Sequence, residues 1–207
     1  MDLKKYIRSI KDYPKKGILF RDITTLIKDS EAFNLTINKI IAISKKTDFD
    51  KIAGIESRGF IFASAVSYLL KKPFILLRKK NKLPAERHSV DFKLEYGEAT
   101  IEVHKDSISS NDKILIIDDL IATGGTAEAA AKLVEISGGK VAGFIFVINL
   151  FDLPGNNLLK KKSYFTESLL EFPGHWIAVK SVFFSRFLEW VHYQFQDLYG
   201  NQKVWRL

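Results

Sequence analysis

The chain contains no cysteine. That excludes disulfides, thiolate nucleophiles and cysteine-ligated zinc, and it fits a reducing cytosol, so a cytoplasmic location is expected. No apolar run approaches the ~18 residues that a spanning helix requires, and no membrane partner is expected. Met1 is followed at once by Asp2, Lys4 and Lys5, without the apolar stretch of a secretory leader. Two phosphate-binding signatures are also missing, G-x-x-x-x-G-K-[ST] and G-x-G-x-x-G. The four histidines, His88, His104, His175 and His192, lack metal-ligand spacing, and none is assigned a catalytic role. There is no internal repeat, linker or low-complexity segment. No helix-turn-helix pattern is found, so nucleic acid is not an expected partner.

What remains is an ordinary globular composition. Of 207 residues, 46% are hydrophobic and 27% charged, enough for one buried core. The net charge of +8 and pI near 9.4 favour anionic partners, whether nucleic acid, membrane surface or phosphorylated small molecules. Lysines are spread along the whole chain, so charge alone does not choose among them.

Periodicity supplies the organisation. Leu3, Tyr6, Ile7 and Ile10 recur at helical spacing, which predicts a short helix over residues 2–11. Pro14 and Gly17 then begin an irregular segment. A second helix is predicted from Ser30 to Lys46, with Ser30 as its N-cap and Phe33, Ile37, Ile40, Ile41 and Ser44 along one face. Short apolar strands follow at 51–55, 73–78, 113–117 and 140–151, alternating with helices at 59–70 and 125–137. Such alternation predicts an α/β fold with a mainly parallel central sheet flanked by helices. The stretch 79–112 interrupts the rhythm. Within it "VDFKLEYG" and "EATIEVH" alternate around a turn, predicting an antiparallel excursion of the kind that covers active sites. From Trp176 onward the texture changes. Val179, Val182, Phe183, Phe187, Trp190, Val191, Gln194, Phe195 and Leu198 trace an aromatic helical stripe. Residues 176–207 therefore read as a terminal helical extension, docked on the core or on a dimer partner, rather than as a separate domain.

The chemistry concentrates in "ILIIDDLIATGGT", residues 114–126. In a parallel sheet, ligands bind beyond the C-terminal strand ends, which is where Asp118 and Asp119 emerge. Two adjacent carboxylates cannot be buried without partners; sugar hydroxyls, a divalent metal or a basic residue would serve. Ala122, Thr123, Gly124, Gly125 and Thr126 then turn into the next helix. Glycines expose main-chain N–H groups, and a helix start adds roughly half a positive charge. Those features suit a phosphate monoester, although a tight turn with an N-cap would use some of the same residues. With no lysine and few residues, the loop fits one phosphate and a ribose better than a triphosphate.

That string closely resembles the phosphoribosyl-pyrophosphate (PRPP) signature of type I phosphoribosyltransferases. "PKKGILFRDIT" (14–24), "GIESRGFIFASAV" (54–66), "RKKNKLPAE" (78–86) and "LEYGEATIEVHKD" (94–106) narrow the resemblance to the adenine phosphoribosyltransferase family, over roughly residues 1–175. The resemblance implies the fold of that family, with an N-terminal hood at about 1–28 and a cover loop at about 79–104. It implies transfer of the 5-phosphoribosyl group from PRPP to N9 of adenine, with Mg²⁺ held mainly by pyrophosphate and ribose oxygens, in a homodimer. By the same resemblance Asp118 and Asp119 hold the ribose hydroxyls, and Ala122 to Thr126 hold the 5′-phosphate. Ser57, Arg58, Arg78, Lys79 and Lys82 meet pyrophosphate, with a cis peptide near Glu56–Ser57. Leu19, Phe20 and Arg21 receive adenine, Phe20 by stacking. Glu95 and Tyr96 are the catalytic loop residues, a carboxylate for the developing cation and the base proton and a tyrosine to exclude water. Two rivals stand beside this reading. One is a related enzyme for hypoxanthine, guanine or xanthine; the other is a regulator that binds PRPP or a purine without chemistry.

Overall fold

A computed structural model of the chain describes residues 1–94 and 97–174. The expected catalytic pair Glu95 and Tyr96, and the aromatic extension 176–207, lie outside the described residues.

Strands buried on both faces read as unbroken apolar runs, and here they form the centre of the sheet. β3 (Lys51–Ile55), β7 (Lys113–Ile121) and β8 (Lys140–Leu150) are almost wholly buried beyond their first residues. With β4 (Phe74–Lys79) and β9 (Thr166–Phe172) they run parallel in the order β4-β3-β7-β8-β9. The excursion is an antiparallel hairpin, β5 (Arg87–Leu94) and β6 (Gly97–His104), joined to the β4 edge through β6. The expected α/β class and hairpin are therefore both present.

Helices cover both faces. α2 (Ser30–Ser44), α3 (Arg58–Leu70) and the N-terminal segment pack on one face around Ile40, Phe62 and Val66. α4 (Gly125–Ile136), the hairpin and α5 (Gly155–Lys161) pack on the other around Leu133, Phe144 and Leu159. Phe62 and Phe144 are fully enclosed, each stabilising the fold by roughly 1.5–3 kcal/mol relative to exposure.

Strand order also locates the crevice. The chain leaves β3 through α3 to reach β4 on one side, then returns to place β7, β8 and β9 on the other. The topological switch point lies between β3 and β7, where an open parallel sheet leaves room for a ligand.

Four local expectations are corrected. Residues 2–11 do not form one helix. A single 3-10 turn, Leu3–Tyr6, gives way to β1 (Arg8–Lys11), which pairs antiparallel with β2 (Leu19–Asp22). One turn already buries Leu3 and Ile7; every residue of β1 is exposed, so nothing rewards a longer helix, and its backbone pairs with β2 instead. The N-cap of α2 is Asp29 rather than Ser30, its carboxylate accepting from Ala32 N at 2.9 Å. β7 continues through the aspartates to Ile121 rather than stopping at 117. α5 and β9 were not anticipated; β9 is an edge strand of mixed polarity. Between β2 and α2 lies a short α1 (Thr24–Lys28).

Candidate active site

A cavity of about 370 Å³ opens at the switch point. Its floor is the ends of β3 and β7, and its lining includes Ser57, Arg58, Lys79 and the whole stretch Asp118–Thr126. Phe92, Ala99, Thr100 and Ile101 of the hairpin form part of its wall.

Both aspartates line it, Asp118 half-buried and Asp119 buried. Asp119 is 5% exposed. Arg58 Nε stands 3.0 Å from Asp119 Oδ2, yet the two groups are not aligned for a hydrogen bond, and that oxygen is buried without a hydrogen-bond partner. Asp118 Oδ1 accepts from Asp119 N at 2.9 Å. Burial, and then the neighbouring Asp119 charge, push the Asp118 carboxyl well above its ordinary value. Burial also raises Asp119, against the opposing pull of Arg58. A buried carboxylate oxygen without a donor is costly, and a ligand hydroxyl is the donor this geometry would accept.

Two helices begin at the cavity, and no side chain caps either one. Gly124, at φ +94°, occupies the N-cap of α4, and Ser57 occupies that of α3 without a side-chain bond. α2, away from the cavity, is capped by Asp29. First-turn N–H groups have no intrahelical acceptor, so both starts present donors and partial positive charge to an anion. Gly59 permits the close approach of α3 to β7. A Cβ there would stand 2.7 Å from Asp118 Oδ1 and 2.9 Å from the Ile117 carbonyl oxygen.

The cations are unequally free. Arg78 donates to Glu56 at 3.3 Å and to the Lys82 carbonyl at 3.1 Å, while Lys79 lines the cavity. Burial pushes the Glu56 carboxyl up, but hydrogen bonds from Arg78 and Lys79 N outweigh it and hold the group below its ordinary value. The Glu56–Ser57 peptide is cis. Lys82 is exposed, and neither it nor Arg78 lines the cavity.

Leu19, Phe20 and Arg21 lie on β2, in the separate two-stranded sheet, outside the cavity lining. Arg58 connects the two regions, its guanidinium 5.4 Å from the Phe20 ring centre. Tyr13 meets the edge of that ring at 5.1 Å. The Arg21 side chain turns away. It donates to the Pro173 carbonyl at 2.7 Å and to Ser9 Oγ, and it lies 4.5 Å from the Phe172 ring centre. Its burial lowers its pKa, offset by the charge of Asp152.

Sequence reasoning brought Arg58, Lys79 and residues 118–126 to one place. It missed Glu56 and Gly59, whose partners lie on other elements and leave no local signal.

Residues 24–177 match the Phosphoribosyl transferase domain family. An adenine phosphoribosyltransferase of Pelagibacter ubique (strain HTCC1062) is 74% identical over 175 residues, covering 84% of this chain and 100% of the relative. The crystal structure of adenine phosphoribosyltransferase from Thermoanaerobacter pseudethanolicus superimposes with a TM-score of 0.79 at 45% identity, covering 82% of this chain and 98% of that one. APRTase from Giardia lamblia, solved with 9-deazaadenine, gives a TM-score of 0.79 at 33% identity, covering 83% and 96%.

Proposed function

The chain belongs to the adenine phosphoribosyltransferases, and from that premise we propose that its switch-point cavity transfers the 5-phosphoribosyl group of PRPP to N9 of adenine, giving AMP and pyrophosphate for purine salvage. The observation that carries the site assignment is the buried Asp119 Oδ2, ion-paired with Arg58 but lacking an aligned hydrogen bond, beside two uncapped helix starts.

Asp118 and Asp119 accept from the ribose 2′- and 3′-hydroxyls, which supply the missing donor. The amides at the start of α4, with Thr123 and Thr126, hold the 5′-phosphate. The start of α3, with Ser57, Arg58 and Lys79, receives pyrophosphate, and Arg78 and Lys82 stand at its edge. Phe20 stacks on adenine, and backbone groups beside Leu19 bond its Watson–Crick edge. Arg21 keeps β2 in place from behind.

As the C1′–O bond breaks, its electron pair leaves with pyrophosphate and positive charge grows on the sugar. The Glu95 carboxylate stabilises that charge and takes the N9 proton as N9 bonds to C1′. Tyr96 covers the site against water. The donor set fits a Mg²⁺ ion that arrives on its substrate. Among the described residues, no three His, Cys, Asp or Glu side chains come together to hold a metal, and Glu56 is committed to Arg78. Phosphate-bound magnesium commonly takes one or two carboxylates through its waters, and Asp118 and Asp119 are placed to serve. When bound, the ion neutralises the departing pyrophosphate.

The hood (about 1–28) and the cover (about 79–104) close over the substrates. Cytoplasmic work suits two substrates of which one is heavily phosphorylated, and among the described residues no helix is long and apolar enough to cross a membrane. A homodimer is supported by the apolar outer face of α3, where Tyr68 is 83% and Leu69 55% exposed.

The deciding experiment measures AMP formation from adenine, PRPP and Mg²⁺, with hypoxanthine as competitor. Glu95→Gln and Asp119→Asn are expected to lower kcat/KM by about 100-fold or more. Equal rates in wild type and both variants would sink the site assignment, and preference for hypoxanthine would favour the rival 6-oxopurine reading.

A further inference from the structure

The phosphate loop keeps its place at the cavity only if something holds it from behind. At its tightest point that support is the Gly155 backbone, with the Leu158 side chain packed beside it. After β8 the chain turns through Phe151–Pro154 into α5, whose first residue is Gly155. Gly155 N donates to the Ala122 carbonyl at 2.9 Å. A Cβ on Gly155 would overlap that oxygen and stand 2.7 Å from Gly124 N. The contact is reciprocal, since a Cβ on Gly124 would stand 2.8 Å from Gly155 Cα and 3.1 Å from Leu158 Cδ2. Two glycines thus let two main chains touch, and one of them carries the αL conformation, φ +94°, that starts α4.

The same turn is anchored at its other end. Asp152 Oδ1 accepts from Gly174 N at 2.5 Å, and Leu153 packs where a Gly174 side chain would be. The turn is therefore a strut between the end of β9 and the back of the loop.

We propose that Gly155 is a positioning residue for the 5′-phosphate, acting through the Ala122–Gly125 backbone and touching no substrate itself. This rests on the proposed function, because it concerns the phosphate half of that site. Orienting several donors onto one anion is sensitive to small displacements. Gly155→Ala would push the loop forward by the overlap of a single methyl group and misalign its amides. Pyrophosphate, bound at α3 on the other side of the switch point, would not feel the change.

The test measures binding of AMP and, separately, of magnesium pyrophosphate to wild type and Gly155→Ala by calorimetry, with PRPP kinetics alongside. AMP affinity is expected to fall at least about 10-fold and KM for PRPP to rise similarly. Pyrophosphate affinity should stay within about 2-fold, and kcat at saturating PRPP within about 3-fold, by the same argument. Parallel loss of both ligands, or loss of neither, overturns the proposal. Should Gly155→Ala not fold, Leu158→Ala decides, because it removes packing behind Gly124 without overlap. Selective weakening of AMP supports the strut, and unchanged AMP binding overturns it. Wild type that bound no AMP at all would instead count against the proposed function.

Discussion

Asp118 and Asp119 show how a residue suited to a ligand is badly suited to the unliganded fold. Both carboxyls are raised by burial, and Asp118 also by its neighbour's charge. A carboxyl whose folded pKa exceeds its unfolded value binds its proton more tightly in the native chain. The pair's contribution to stability is therefore best below the ordinary value of 3.8 and worsens as pH rises through the raised one. Asp118→Asn removes that penalty at pH 7.5. It is expected to stabilise the protein by about 1 kcal/mol, raising the thermal midpoint by roughly 2–4 °C. The gain should shrink as pH is lowered towards 4, and kcat/KM should fall about 10–100-fold with the lost charged hydrogen bonds. Midpoints lower than wild type throughout that range would contradict the account. At this scale the sequence singled out residues that the structure brings to the cavity, such as Asp119, Arg58 and Gly124. It gave no sign of the contacts made by Glu56, Gly59 and Gly155, which come from other elements.

Among the helices, α2 differs from the two that begin at the cavity. Asp29 caps α2 with its own carboxylate, whereas α3 and α4 start at the cavity with no side-chain cap. Asp29→Ala is expected to cost about 1 kcal/mol of stability, and kcat/KM should be unchanged; a kinetic defect would show that α2 reaches the site. Elements were legible where one physical cause dominated. β3, β7 and β8 are buried on both faces, so their apolar runs announced them. The N-terminal segment misled because Leu3, Tyr6 and Ile7 satisfy helical spacing within one turn, after which pairing with β2 takes over. β9 buries only Thr166 and Leu170, with three half-exposed positions between them and Glu167, Ser168 and Glu171 in the run, too mixed a pattern to stand out.

For the molecule as a whole, ligand and fold are linked. AMP at 100 times its Kd should stabilise the native chain by about 2.7 kcal/mol, a rise of roughly 5–10 °C in midpoint, and Asp119→Asn should lose most of it. Association is testable on the α3 face. Tyr68→Glu with Leu69→Glu is expected to convert a dimer into a monomer in sedimentation, while a dimer unaffected by both charges would place the contact elsewhere. The parallel sheet and the switch-point crevice followed from the βαβ rhythm, but the joining of the β2 sheet to the crevice through Arg58 and Phe20 is long-range and had no local trace.

β3 and β7 are hydrogen-bonded neighbours, about 4.8 Å apart along their paired length, and β7 runs on past the end of β3 to Ile121. The helices that follow them diverge to opposite faces of the sheet. The crevice has an uncapped helix start on each side and the two aspartates in its lining. On the proposed function, a pentose carrying phosphates at both C1 and C5 would span both helix starts, whereas a sugar monophosphate would reach only one. On that proposal, discrimination against sugar monophosphates rests on the distance between the two helix starts.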